Sequence, residues 1–316
     1  MKKTILTGLL LLAATAMSAA VRGDVTGNDV VDIADVNEVI NVMLGKTTNP
    51  LADVTANGTV DIADINLVIN IMLGKAEPEL PTHYTVNGVE FDMVNVEGGT
   101  FTMGATDEQT SYALECEFPA HQVTLSSYQI GMTEVTQELW LAVMGTNPSR
   151  FTGDLQCPVE YVKWTDCQEF INKLNELTGA HFRLPTEAEW EFAARGGNQS
   201  KGYRYAGSNT LSQVAWYKGN SSSKTHPVGK KAPNELGIYD MSGNVWEWCS
   251  DWYAGVYPDE AQTDPAGPDS NEWDCKVYRG GGWEKEATFC RVSARANGSY
   301  NGFFSKYNFL GLRLAQ

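Results

Sequence analysis

Two stretches of this chain space oxygen-bearing side chains as a hard cation requires. Asp24, Thr26, Asn28, Asp32 and Asp35 stand at positions 1, 3, 5, 9 and 12 of a loop, with the Val30 carbonyl available from position 7. The pattern returns as Asp53, Thr55, Asn57, Asp61 and Asp64, with Thr59 at position 7. Alternating oxygens along a tight loop, closed by a carboxylate, suit Ca²⁺. Both loops close on Asp where the longer Glu is usual. The first also has Asp29 at the turn position that Gly58 occupies in the second. A third oxygen set lies in DMSGNVWEWCSD. Asp240 and Glu247 supply carboxylates, and Gly243 and Val245 between them can turn carbonyls inward, leaving water to complete a hard-cation shell. RGGGWEKEATFC, Arg279 to Cys290, poses a different question: its single cysteine could be a reactive centre, half a disulfide or a buried small residue.

Each of the first two loops needs an element to hold it. Val36, Val39, Ile40 and Met43 form one apolar helical stripe before Gly45, and Ile65, Val68, Ile69 and Met72 form another before Gly74. Units this short bury little alone, so they are expected to pair and to depend on metal for stability. Upstream, Lys2 and Lys3 precede the apolar run Ile5 to Ala16, and Ser18-Ala19-Ala20 offers a cleavage site. Residues 1–20 read as a secretory signal, too short to span a bilayer and without a lipobox cysteine. The chain is therefore expected to be secreted or associated with the cell surface, with no membrane span. Ala76 to Pro81 reads as a linker because its prolines oppose helix continuation.

A net charge of −16 excludes a general nucleic-acid binder, which needs clustered Lys and Arg. Six cysteines in an exported chain point to disulfides, and the lack of a CxxC pair argues against thiol exchange. The four histidines show no HxxxE or HExxH spacing, and no GxSxG, phosphate loop or dinucleotide fingerprint occurs. From His83 onward short strand-like runs alternate with loops, and three helices stand out. They begin at Thr136, at the box Thr165-x-x-Gln168 and at the box Thr186-x-x-Glu189. In the last, Ala188, Trp190, Phe192 and Ala193 are expected to face inward, and Glu187, Glu191 and Arg195 to pair on the surface. The pattern predicts an α+β domain with much irregular structure.

The motifs MVNVEGGTFTMGA, EVTQELW, PVEYVKWTDCQEF, FRLPTEAEWEFAARGG, PNELGIYDMSGNVWEWCSDWY, RGGGW and GLRLA follow in this order between Asp92 and Ala315. Together they resemble the formylglycine-generating enzyme (sulfatase-modifying factor) family. The resemblance implies a C-type-lectin-like fold over residues 85–316 and calcium at Asp240, Gly243, Val245 and Glu247. Residues 21–75 resemble a dockerin pair, which implies a small all-α calcium-loop domain and a cohesin-like docking partner; a calcium-stapled spacer is the alternative. Residues 76–84 join the two.

The family's oxidases hold copper between two cysteines about five residues apart after the glycine run. Thiolates suit Cu(I) because it is soft. Here Gly282 is followed by Trp283, Glu284, Lys285, Glu286 and Ala287, with a serine usual at Gly282 and an asparagine at Phe309. Copper and a catalytic residue are therefore not expected, and Cys290 reads as a disulfide half, with Cys249 or Cys275 its first candidate partners. The Asn-, Gly- and aromatic-rich run from Ala296 to Phe309 has the composition of adaptable contact surfaces. Retroelement-diversified binding proteins of this lectin-like fold display ligand surfaces at the same place. Trp246, Trp283, Asn297, Tyr300, Phe303, Phe304 and Tyr307 are the candidate surface for a protein or glycan. Three readings follow: a recognition protein, an oxidase acting on sulfatase cysteines, and a structural surface module of a polysaccharide-degrading assembly.

Overall fold

The computed structural model describes residues 23–28, 30–54, 59–73, 81–300 and 306–316. The signal-like segment, Asp29, Thr55, Asn57, Gly58, Phe303 and Phe304 lie outside them. The chain divides into two compact units, Met1–Leu80 and Pro81–Gln316. Among the described residues no helix is long and apolar enough to cross a membrane.

In the first unit, α1 (Ile33–Met43) and α2 (Ile62–Met72) present the same face to a shared core of Val25, Val36, Val39, Ala52, Val54, Ile65, Leu67 and Val68. The Asp32 carboxylate accepts from Ala34 N at 2.6 Å, and Asp35 reaches back to Asp32 N at 2.8 Å, a reciprocal cap that fixes where α1 starts. Met43 and Met72, expected in the core, are exposed. Each is the last residue of its helix, where the apolar stripe runs out.

Among its described residues the second unit carries ten strands in three small sheets. β1 (Thr82–Val86), β2 (Val89–Val96) and β5 (Tyr128–Gly131) form one antiparallel sheet. β3 (Gly99–Met103), β4 (His121–Leu125) and the two-residue β7 (Gln262–Thr263) form another. The third, which positions the candidate sites, runs β10 (Leu310–Leu312), β6 (Trp246–Trp252), β8 (Cys275–Arg279), β9 (Arg295–Ser299). Here β10 lies parallel to β6, with Leu310 opposite Trp246 and Gly311 opposite Glu247. Short strands, α3 (Gln137–Met144), α4 (Trp164–Thr178), α5 (Glu187–Ala194), a single turn α6 (Leu211–Val214) and long loops make a mixed helix and sheet unit, the expected α+β class.

α4 begins one residue before its expected box. Asp166, rather than Gln168, closes the cap by accepting from Lys163 N at 3.1 Å. α5 opens on its expected box, with Thr186 Oγ1 accepting from Glu189 N and Glu189 Oε2 from Thr186 N. Its surroundings differ from expectation, because every residue from Glu187 to Ala194 is buried. Glu187 pairs with Arg295, Glu189 with Arg183, and Glu191 with Arg279 and Arg195. A helix carrying three acids tolerates full burial because each carboxylate meets a guanidinium and further donors.

Candidate functional site

The glycine loop after β8 and the strand β6 beneath it build the site. A β-carbon on Gly281 (φ +74°) would stand 2.7 Å from Phe289 O and 2.8 Å from Cys290 Sγ, so the loop closes only with glycine there. Trp283 N donates to Asn244 O, Gly243 N to Gly280 O and Trp246 N to Phe309 O. The DMSGNVWEW segment, the glycine loop and the start of β10 are thereby one hydrogen-bonded layer.

Beneath it lies a buried charge cluster. Glu247 Oε1 accepts from Arg313 Nη2 at 2.7 Å, and Oε2 accepts from Arg313 Nε at 2.9 Å and Trp190 Nε1 at 2.7 Å. Glu134, at the head of EVTQELW, accepts from Asn244 Nδ2 at 2.6 Å and Val245 N at 3.0 Å. Asp240 Oδ2 accepts from Gly229 N at 2.7 Å, whereas its buried Oδ1 has no donor. Burial pushes the Asp240 carboxyl up to about 6, and burial together with Asp240 and Glu247 pushes Glu134 well above the usual range. Three buried carboxylates thus face one buried guanidinium, with Lys231 adding a weaker attraction at Asp240. Glu134 and Arg313 were not among the sequence candidates, since each looks like one polar residue in an element defined by its apolar neighbours. Among the described residues no three His, Cys, Asp or Glu side chains converge to hold a metal by themselves.

The front loops are closed by hydrogen bonds. Asp24 Oδ1 accepts from Gly27 N and Asn28 N, and Asn28 Oδ1 from Val30 N. Asp35 Oδ1 accepts from Val25 N, Thr26 N and Thr26 Oγ1. Burial raises the Asp35 pKa, but these N–H donors outweigh it and the carboxyl sits below its ordinary value. In the second loop Asp64 Oδ2 accepts from Asp61 N, repeating the Asp35–Asp32 contact. Asp53 and Thr59 flank the undescribed stretch. Sequence reading missed Ile33 and Ile62, equivalent residues of the two repeats, which are 61% and 62% exposed. Superposing the repeats would have found them.

All six cysteines are unpaired, which corrects the disulfide expectation. Cys249 belongs to the core around α5, whereas Cys290 packs with Tyr205, Leu211, Val214 and Ala215, and Cys275 is half-buried at the start of β8. Cys290 is fully buried and burial pushes its thiol up, the opposite of an activated thiolate. Five residues before it stands Lys285.

The candidate ligand-surface residues that the structure describes fall into separate contacts. Trp246 is 1% exposed and forms the floor, because β6 is flanked by β10 and β8; it is not a surface residue. Asn297 is exposed on β9. Tyr300 packs edge-on to Trp252 at 5.2 Å and Trp164 at 6.4 Å, and Lys276 Nζ lies 3.9 Å from the Trp252 ring centroid. Trp283 packs on Phe151 at 5.3 Å and Tyr307 stacks on Phe309 at 4.9 Å. Trp164 and Trp252, which hold Tyr300, were not among the sequence candidates.

This layer of β6, the glycine loop and β10 lies wholly within residues 79–316, which match the sulfatase-modifying factor enzyme 1-like domain. The chain belongs to that family. It is 36% identical to chaperone protein LppX of Paenibacillus barcinonensis over 68% of this chain and 86% of that protein. It is 29% identical to the formylglycine-generating enzyme of Streptomyces coelicolor over 70% and 88%. Among solved structures, Treponema denticola variable protein 1 shares 37% identity with a TM-score of 0.66, covering 75% of this chain and 98% of that one.

Proposed function

We propose that the chain is an exported, calcium-binding recognition protein whose sulfatase-modifying-factor-like domain displays a ligand surface in place of oxidase chemistry. One observation carries the reading. At the glycine loop the chain has Glu284 and Lys285, and its one thiol there, Cys290, is buried with a raised pKa. A soft copper ion has no second sulfur to bind in that loop. The likeness to a protein described as variable supports a binding role, proposed here for Trp283, Asn297, Tyr300 and Tyr307.

Calcium is proposed at Asp240, the Gly243 and Val245 carbonyls and Glu247. The donor-free Asp240 Oδ1 and the excess of carboxylates over guanidinium support it, since a divalent cation would offset that buried charge. Bound there, it would cross-link the segment to its own loop. The front repeats are proposed to bind calcium through Asp24, Thr26, Asn28, Val30, Asp32 and Asp35, and through Asp53, Thr55, Asn57, Thr59, Asp61 and Asp64. A dockerin-like attachment to a cohesin-like partner is supported by the paired exposed Ile33 and Ile62.

The deciding experiment incubates the full chain with a CxPxR sulfatase peptide, Cu(I) and oxygen, and reads the peptide by mass spectrometry. Unchanged cysteine is the expected result. Aldehyde formation that disappears in Cys290→Ser overturns the recognition reading in favour of the oxidase.

A further inference from the structure

Two departures from the family pattern, Gly282 and Glu284, occupy one volume. A β-carbon on Gly282 would stand 2.6 Å from Glu284 Oε2, 3.2 Å from Trp246 Cδ1 and 3.4 Å from Phe309 O. The space left by the missing side chain is where the Glu284 carboxylate sits, folded back toward the indole. Both Glu284 oxygens are inaccessible and neither meets a donor in hydrogen-bonding geometry. Trp246 Nε1 is also buried without an acceptor, on a side chain 1% exposed. The carboxylate and the indole N–H attract one another, and Lys285 attracts the carboxylate from the other side, yet none of these contacts reaches hydrogen-bonding geometry, which for groups this buried calls for an explanation.

The surroundings select the sign and size of a ligand. Tyr278 lies edge-on to Trp246 at 5.0 Å, and Tyr307 stacks on Phe309 at 4.9 Å. Aromatic faces and a desolvated carboxylate both favour a cation. The chain's own stand-in is Lys285. Its Nζ lies 3.4 Å from Glu284 Oε1 and 5.5 Å from the Phe309 ring centroid, on a side chain 35% exposed. That ammonium sits at the rim without an aligned hydrogen bond. Burial raises the Glu284 pKa, so an arriving cation would gain a poorly solvated partner.

We infer that Glu284, seated in the space over Gly282 against Trp246 and beside Phe309, is the anionic floor of a binding site for a primary ammonium group, such as a ligand lysine, with Lys285 as its resident competitor. This rests on the reading of the same face as a recognition surface. It makes that face selective for basic ligands, on a chain whose overall charge is strongly negative.

The test titrates the full chain with Nα-acetyl-lysine methylamide and with its Nε-acetylated form, following tryptophan fluorescence and calorimetric heat. The free ammonium is expected to bind and the acetylated form not to. Lys285→Met should bind about threefold tighter, the effect of removing one partly exposed ion pair. Glu284→Gln should bind about tenfold weaker or worse, and Gly282→Ser should match it by evicting the carboxylate. Circular dichroism and melting temperature of each variant report folding separately. Equal binding of both compounds, or a folded Glu284→Gln that binds as the parent does, overturns the inference. Such a failure leaves the peptide-aldehyde result, and with it the recognition reading, untouched.

Discussion

Replacing Arg313 with Met tests the argument that one guanidinium permits the burial of this carboxylate layer. Arg313 is 0% exposed and makes two bonds to Glu247, one to Gly131 O and one to Tyr239 O. Met preserves most of the apolar volume, so the loss is one of charge and donors. Removing one partner of a buried pair leaves the other uncompensated, at a cost of about 3–5 kcal/mol. The two backbone carbonyls lose a donor as well, placing the expectation toward the upper end of that range. For a domain of this size each kcal/mol lowers Tm by about 2–4 °C, so Arg313→Met should melt about 6–20 °C lower. Scanning calorimetry of the parent, Arg313→Met, Glu247→Gln and the double variant closes the cycle. The double variant should be more stable than Arg313→Met, because Gln no longer carries a stranded charge. A single variant within about 1 kcal/mol of the parent, or a strictly additive double variant, would refute the reasoning.

Other outcomes follow from particular residues. Glu160 is fully buried, with Oε2 lacking a donor, and burial pushes its carboxyl from the ordinary 4.5 up to about 7. The native state then binds more protons than the unfolded chain between those values. Stability should fall as pH rises through that window, by about 3 kcal/mol at most. Glu160→Gln should flatten the curve measured by urea unfolding at pH 5 and pH 8, and an unchanged slope counts against the assignment. EDTA should lower the melting transition of the front repeats, since metal held at a thousand times its Kd stabilises by about 4 kcal/mol; coincident traces with and without chelator remove calcium from those loops. In native protein a thiol reagent should modify only Cys116 and Cys275, the two half-buried cysteines, and reach Cys157, Cys167, Cys249 and Cys290 after unfolding. Rapid native labelling of Cys290 would contradict its burial.

Local pattern carried far in this chain. The repeat spacing, the apolar stripes of α1 and α2, the Thr186–Glu189 cap and the early strands are written in residues a few positions apart, where helical and strand periods impose them. The absence of a thiol pair around the glycine run was also visible in the sequence alone. What depends on distant partners was not. Glu187 and Glu191 read as surface partners until folding brings Arg295 and Arg279 against them. Trp246 looked like an exposed contact residue, yet β8 and β10 cover it. Six cysteines suggested disulfides, but the fold places Cys167, Cys249 and Cys290 in separate cores and leaves Cys116 and Cys275 half-buried. The sequence by itself determined the elements and the absence of a second cysteine close to Cys290, because both are encoded at short range. Only the tertiary structure decided which charges are neutralised and which carboxylates, Asp240 and Glu284 among them, keep oxygens with no donor. Burial and partner choice arise between residues far apart in the chain, and no local spacing records them.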